Sequence, residues 1–419
     1  MIGATFFDAR RESSGGELGK VTGRPARYFE TVYRGMGPTT LRRSNQRAVL
    51  AIISNNPGCS NADIARRTGL APQSVSAVLA DLSEMGLLTR GKAKRGGGRG
   101  QPATPLFVNP DGAYAIGAEI GWTRLEVALV NIETKVLGVE RIDFDYPDAA
   151  TIFAALAAMV TRLTAKIADP ARIIGLGLAM PEGIGDTASL LTPPPGQAEL
   201  WDKIDPIAAA AEATGLDVLL VNDGSAGCWA EFVATPTPRP GNYAYLFVDT
   251  FVAAGIVAED RLWEGASGAS ANLGSMRVAD ANGEARFVHE IASVYALRGK
   301  LKAAGFELSA ALADKPAAPA KAVLEQWIED AALALGQTVL NARTVLEFEF
   351  AAIDSELPGP ILLRLIERVR SRLLEIPSLG TTKPAIHRGH LGRSGAAQGA
   401  AFIRMYRKFF SRELVHMEG

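Results

Sequence analysis

A chain of 419 residues with 47% hydrophobic content is long enough for two or three domains with sizeable cores. Its apolar runs, such as 151–160 and 173–180, fall short of the roughly 20 residues of a membrane span, and Asp8, Arg10, Arg11 and Glu12 interrupt any apolar leader core. Only Cys59 and Cys228 occur, far apart, which leaves neither a disulfide framework nor a thiolate zinc cluster and points to a reducing cytoplasm with no membrane partner. The net charge of −1 is unevenly spread: residues 1–109 hold 16 Lys+Arg and 7 Asp+Glu, a balance of +9, and the rest carries −10. A basic head on an acidic body fits either a polyanion partner for the head or a solvated basic tail.

Residues 1–38 mix Gly, Arg, Ser and Glu without periodicity, so a disordered tail is expected there. From Thr39, Leu41, Val49, Leu50, Ile52 and Ile53 mark one face of a helix that stops at the turn cluster Asn55-Asn56-Pro57-Gly58. Ser60 with Asp63 three residues on reads as a capping box, Ile64 and Ala65 as the apolar side of a second helix, and Gly69 as its end. Pro72 opens a third helix whose Val75, Val78, Leu79 and Leu82 form a buried stripe, with Gly86 closing it. Gln73, Ser74 and Ser76 are polar at the start of that helix, the position from which a helix-turn-helix reads base edges. The same three helices could also be a protein-binding bundle, and the next segment decides. A strand from Leu87 to Thr89 and its return at 106–108 enclose Lys92, Lys94, Arg95, Arg99 and Gln101 among five glycines and no acid. Such a cationic wing can neutralise phosphates and place an arginine in a minor groove. The pattern of residues 39–109 therefore predicts a winged helix-turn-helix bound to duplex DNA.

After the turn Asn109-Pro110-Asp111-Gly112, strands are expected at 114–120, 125–130 and 136–144, a helix at about 149–167, a strand at 173–179, a helix near 206–214 and a strand at 218–221. The scheme restarts with strands at 243–248 and 255–258 and a hairpin about Glu259-Asp260-Arg261. A helical stretch from Phe287 to Val345, broken at 313–319, follows, then a strand near 348–353 and helices at 359–374 and 395–410. This order belongs to the α/β class.

Four short segments carry a resemblance: Gly175-Leu176-Gly177-Leu178-Ala179-Met180-Pro181, Val221-Asn222-Asp223-Gly224-Ser225-Ala226, Glu264-Gly265-Ala266-Ser267-Gly268-Ala269 and Leu391-Gly392-Arg393-Ser394-Gly395-Ala396-Ala397. In their order and spacing, behind a winged head, they resemble the ROK family of repressors, open reading frames and sugar kinases, closest to its repressors of the N-acetylglucosamine and xylose type. The resemblance runs from about Leu41 to Phe410. It implies a two-lobed, actin-like (ribonuclease-H-like) sugar-kinase-type domain, with a first lobe at 110–230, a second lobe for effector and dimerisation at 231–392, and a terminal helix at 393–410 returning to the first lobe.

By that resemblance Asp223 stands at the catalytic-base position of the kinases, but the phosphate turns differ. Where Asp-x-Gly-Gly-Thr is usual the chain has Glu119-Ile120-Gly121-Trp122-Thr123, and the second glycine-rich turn reads Asp249-Thr250-Phe251-Val252-Ala253-Ala254-Gly255. A tryptophan and an acid in phosphate cradles imply no kinase activity and no catalytic residue. The family's zinc-binding cysteines are absent, His289 stands alone, and His387 and His390 read as structural, so neither metal nor cofactor is expected. Asn222, Asp223 and Glu290 match sugar-contacting positions. Asn272 replaces a usual Glu, Ser275 a usual His, Ser225 a usual Asn, and Glu182 a usual Gly. An altered sugar or polyol effector, neutral or acidic, is expected on Asn222, Asp223, Asn272, Ser275 and Glu290. The expectation is a transcriptional regulator, a repressor, binding operator DNA as a homodimer or higher even-numbered oligomer. A sugar kinase with a DNA-binding head and a constitutive DNA-binding protein are the alternatives.

Overall fold

The computed structural model describes residues 37–92, 104–184, 193–236, 238–265, 268 and 271–411. The expected disordered tail, apart from its last two residues, and the wing residues Lys94, Arg95, Arg99 and Gln101 lie outside them.

The head is built from α1 (Pro38–Asn55), α2 (Asn61–Thr68), α3 (Pro72–Glu84), β1 (Leu88–Arg90) and β2 (Leu106–Val108). Ser60 and Asp63 form the capping box, with Ser60 N–H donating to Asp63 at 3.0 Å and Asp63 N–H donating to Ser60 Oγ at 3.2 Å. Gly69 ends α2 in the left-handed region at φ 71°, where a side chain is strained. Val49, Leu50, Ile53, Ile64, Val75, Val78, Leu79 and Leu82 are buried together. Leu41 is instead half exposed, lying ahead of the buried stripe. β1 and β2 pair antiparallel, Leu88 opposite Val108 and Arg90 opposite Leu106, as the stem of a wing.

The body contains two sheets of the same design. The first takes β3 (Tyr114–Ile120), β4 (Arg124–Asn131), β5 (Val136–Asp143), β6 (Ile173–Met180) and β7 (Val218–Asn222), in the order β5-β4-β3-β6-β7. Its connections are α4 (Ile152–Thr164), a short α5 (Gln197–Trp201) and α6 (Pro206–Thr214). From it the chain passes through α7 (Asp223–Ala234) to the second sheet. That sheet holds β8 (Tyr243–Val248), β9 (Val252–Ala258), β10 (Arg261–Leu262), β13 (Phe350–Ser355) and β14 (Ala385–Arg388), in the order β10-β9-β8-β13-β14. Each sheet is therefore an antiparallel three-stranded meander extended by two parallel strands on the side of its first strand. The sequence's restart at 243 is this repeated topology. A hairpin, β11 (Arg277–Ala279) with β12 (Ala285–Phe287), precedes α8 (Val288–Ala292), α9 (Val294–Ala303), α10 (Leu308–Leu312), α11 (Ala318–Leu346) and α12 (Gly359–Glu375). The last helix is α13 (Gly395–Phe409).

One face of the first sheet is covered by α4 and α6 and shares a core of Ile116, Leu125, Val127, Leu156, Met159 and Leu178. The second sheet is covered by α8, α9, α11 and α12 over Leu246, Val248, Leu297, Trp327, Leu335 and Leu365. Between the sheets run α7 and α13, so close that only glycine fits at the contacts. A Cβ on Gly117 would lie 1.9 Å from Ala397 O, one on Gly177 2.1 Å from Ala400 O, and one on Gly399 1.8 Å from Ala226 O. The terminal helix thus packs on the first sheet although it follows the second in the chain. The head is seated on this body: its apolar cluster is continuous with α7 and α13, and buried Arg47 donates to Ser411 O at 2.9 Å.

Candidate effector cleft and DNA interface

On the head, α3 turns its apolar stripe inward and leaves Gln73, Ser74 and Ser76 exposed, with Lys92 exposed at the end of the wing stem. Gln73 and Ser74 are exposed in the first turn of α3. Ser76 is already engaged, donating to Pro72 O at 2.9 Å and accepting from Asn61 Nδ2 at 3.0 Å, so a base contact there must displace a bond.

In the body a cleft of about 170 Å³ lies between the lobes. β7 ends at Asn222 and α7 begins at Asp223, which brings both to the carboxyl end of the parallel strands, where ligand groups gather in α/β sheets. Asn222 caps α7, its Oδ1 accepting from Ser225 N–H at 3.0 Å, which leaves its amide N–H₂ to donate. Asp223 is half-buried and accepts from Gly224 N–H at 2.7 Å. Desolvation pushes its carboxyl up to about 6, with Gly224 N–H and Arg124 opposing and Asp249 adding to the rise. From the facing lobe, Asn272 and Ser275 line the same cleft.

Glu290 is not among the cleft's lining residues. One carboxylate oxygen accepts from Phe287 N–H at 2.9 Å and the other faces Arg286 at 3.7 Å, so it secures the start of α8. Its neighbour His289 faces the cleft instead, its Nδ1 accepting from Val252 N–H at 3.2 Å and its Nε2 3.4 Å from Ser275 Oγ. Burial pushes the imidazole down to about 4, so it is neutral at neutral pH and, with Nδ1 an acceptor, carries its proton on Nε2. His387 packs on Phe350 with ring centroids 4.7 Å apart, and His390 bonds the buried carboxylate of Glu231.

The group that sequence reasoning missed is Arg124. Its guanidinium, 3% exposed, bonds Glu119 at 2.8 Å and Asp249 at 3.2 Å and also pairs with Glu356, which reaches Arg393 at 3.3 Å. Glu119 and Arg124 belong to the first sheet, Asp249 and Glu356 to the turns after β8 and β13, so the network joins the lobes. Burial pushes Glu119 up to about 7 against the pull of Arg124, and burial likewise raises Asp249. The signal was present as two unexplained acids, Glu119 and Asp249, with an arginine five residues from the first. Beside this network Trp122, buried, meets Phe251 edge to face at 5.1 Å across the cleft. Asp249 is therefore a salt-bridge partner, and the indole is packed against the other lobe.

Residues 115–405, which hold nearly all of both sheets, α7 and most of α13, match the model of the ROK family. The chain belongs to the ROK family. Residues 42–89 separately match a winged helix-turn-helix DNA-binding family, so this ROK protein is a winged helix-turn-helix joined to the family's two-lobed α/β domain. It is 26% identical over 371 residues to the uncharacterized protein y4fQ of Sinorhizobium fredii, covering 88% of this chain and 92% of that one. It is 26% identical over 249 residues to the xylose repressor of Bacillus subtilis, covering 58% of this chain and 63%, a little under two thirds, of the repressor. In fold it is similar to the crystal structure of a ROK family transcriptional regulator homologous to the Escherichia coli MLC protein, with a TM-score of 0.67 at 18% identity over 91% of this chain and all of that one. Among the described residues no helix is long and apolar enough to cross a membrane.

Proposed function

We propose that the protein is a transcriptional regulator, a repressor, whose affinity for operator DNA is set by a neutral sugar or polyol held in the cleft between the lobes. The observation that carries the reading is the joining of a DNA-binding head to a cleft in which Asp223, Asn222, Asn272 and Ser275 offer acceptors and donors. A mainly ionised Asp223 accepts from ligand hydroxyls while Asn222 donates, a match to a vicinal diol. Glu119, Glu182, Asp223 and Asp249 surround the cleft, with Arg124 already committed to two of them, and this disfavours the acidic sugar that the sequence left open. Relatives named as repressors support the reading. Trp122 packed on Phe251 and the Arg124 network occupy the region of the altered phosphate turns, which supports a body without kinase activity. An effector touching both lobes would shift the relative placement of paired heads in a homodimer or larger even-numbered assembly.

The test is a titration of operator DNA with wild type and Asp223→Ala, each with and without a panel of neutral sugars and polyols. The expected result is a ligand response in the wild type that Asp223→Ala abolishes while ligand-free DNA binding stays intact. An unchanged response in the variant places the effector elsewhere. No response in the wild type to any of these favours a constitutive DNA-binding protein.

A further inference from the structure

Each of the two five-stranded sheets has two edges, and three of the four edge strands are short: β10 has two residues, β14 four and β7 five. The fourth, β5, has eight and ends the first sheet, with no strand of the described residues on its outer side. An edge strand offers unpaired N–H and C=O groups to any other chain, and it is ordinarily blunted by shortness, proline, charge or a bulge. Of these devices β5 has only a bulge at Leu137, and its residues from Gly138 to Asp143 run in regular register with β4. It contains no proline, and three of its residues are large exposed aliphatics, Leu137 at 39%, Val139 at 42% and Ile142 at 40%. Its charges are matched within the molecule, Glu140 accepting from Arg162 at 2.5 Å and Arg141 pairing with Asp143 at 3.3 Å.

An open apolar edge takes another strand, and the residues of β5 point to its own copy. About a two-fold axis perpendicular to the sheet, the strand pairs antiparallel with itself, each residue opposite one equally far beyond the axis. Centred on Gly138, this puts Lys135 opposite Arg141; centred on Glu140 or Arg141, it puts that charge opposite itself. Like charges directly opposite are destabilising. Centred on Val139, it instead puts Val136 opposite Ile142, and Leu137 opposite Arg141, whose stem covers the leucine. The same register sets Lys135, exposed just ahead of the strand, opposite Asp143, an opposite-charge pair that symmetry supplies twice. We propose that β5 is a self-association edge, through which two copies pair across an axis at Val139 and two five-stranded sheets become one of ten. β5 belongs to the first lobe, so the contact adds to any made by the second and builds even-numbered assemblies. A strand-edge contact is small beside a standard interface, so it joins copies at concentrations on the order of micromolar.

The experiment is sedimentation velocity of the full chain over a wide range of concentration, without DNA or effector. Val139→Glu, at an exposed position and so compatible with folding, is expected to halve the mass of the largest species and to leave thermal unfolding unchanged. Lys135→Glu and Asp143→Lys are each expected to weaken association several-fold, and the two together to restore it. Val139→Cys is expected to cross-link copy to copy with a short bismaleimide, while the parent chain, whose Cys59 and Cys228 are both buried, does not. A wild type that is monomeric throughout, an unchanged mass in Val139→Glu, no restoration in the charge-reversed pair, or no cross-link between copies would overturn the proposal. A lower Tm in Val139→Glu with no change of mass would mean that the strand is covered by its own chain, which overturns it as well. None of these results bears on the effector.

Discussion

Replacing Arg124 with Met keeps the length of the side chain and removes its charge, leaving Glu119 buried at 5% exposure with no cation to face. Breaking one partner out of a buried ion pair costs roughly 3–5 kcal/mol. Spread over a domain of this size, at roughly 2–4 °C per kcal/mol, that is a fall in Tm of about 6–20 °C. The deficit should depend on pH with a definite sign. Glu119 is already raised to about 7 with Arg124 lowering it, so without Arg124 it rises further. Between the ordinary carboxyl value and that raised one, the native state binds a proton that the unfolded chain does not, and stability falls as pH rises. The variant should therefore lose most at and above neutrality and recover toward pH 5. Adding Glu119→Gln to Arg124→Met should restore part of the loss, because the orphaned charge is gone, and a double-mutant cycle measures the coupling. Thermal unfolding by circular dichroism across pH 5–8 is the assay. A fall below 2 °C at neutral pH, or no coupling with Glu119, would refute the account of Arg124 as the tie between the lobes.

Gln73→Ala should relax operator specificity while leaving folding intact, as read by binding to operator variants altered one base pair at a time; a uniform loss across all of them would mean that Gln73 reads no base. Ser60→Ala should cost the head about 1 kcal/mol through its lost cap, measured by denaturant unfolding. Gly399→Val should prevent stable docking of α13, since even a Cβ lies 1.8 Å from Ala226 O, and is expected to leave little soluble protein. The effector response should weaken as pH falls through about 6, where Asp223 takes up a proton and becomes a weaker acceptor for hydroxyls; a flat profile between pH 5.5 and 7.5 would remove Asp223 from the contact.

The head was legible residue by residue because its helices are short, capped and one-sided: Ser60, Gly69 and the stripe from Val75 to Leu82 each have a local physical meaning. The strands of both sheets, β14 apart, were legible in the sequence. The helix α7 was not, because residues from Gly224 to Phe232 are buried on every side and show no amphipathic period. The short hairpin β11–β12 and the edge strand β14 were also missed, being short, partly polar and largely exposed. In the cleft, Asn222 and Asp223 were placed by a strand ending, a local feature. The roles of Glu290 and His289 depend on which way a helix start faces, and the tie at Arg124 depends on partners 125 or more positions away, neither of which a motif records.

The packing of α13 also orders events in time. Gly117 meets Ala397 across most of the chain, so the first sheet cannot complete its inner face until the last helix has left the ribosome. The elements of the head end at residue 108 and so are made before the body, although their core is completed only by α7 and α13. A nascent chain halted before residue 395 would thus carry the whole sequence of the head on a body with Ala115, Gly117 and Gly177 uncovered. Chains interrupted there, with apolar surface uncovered, are the ones expected to aggregate.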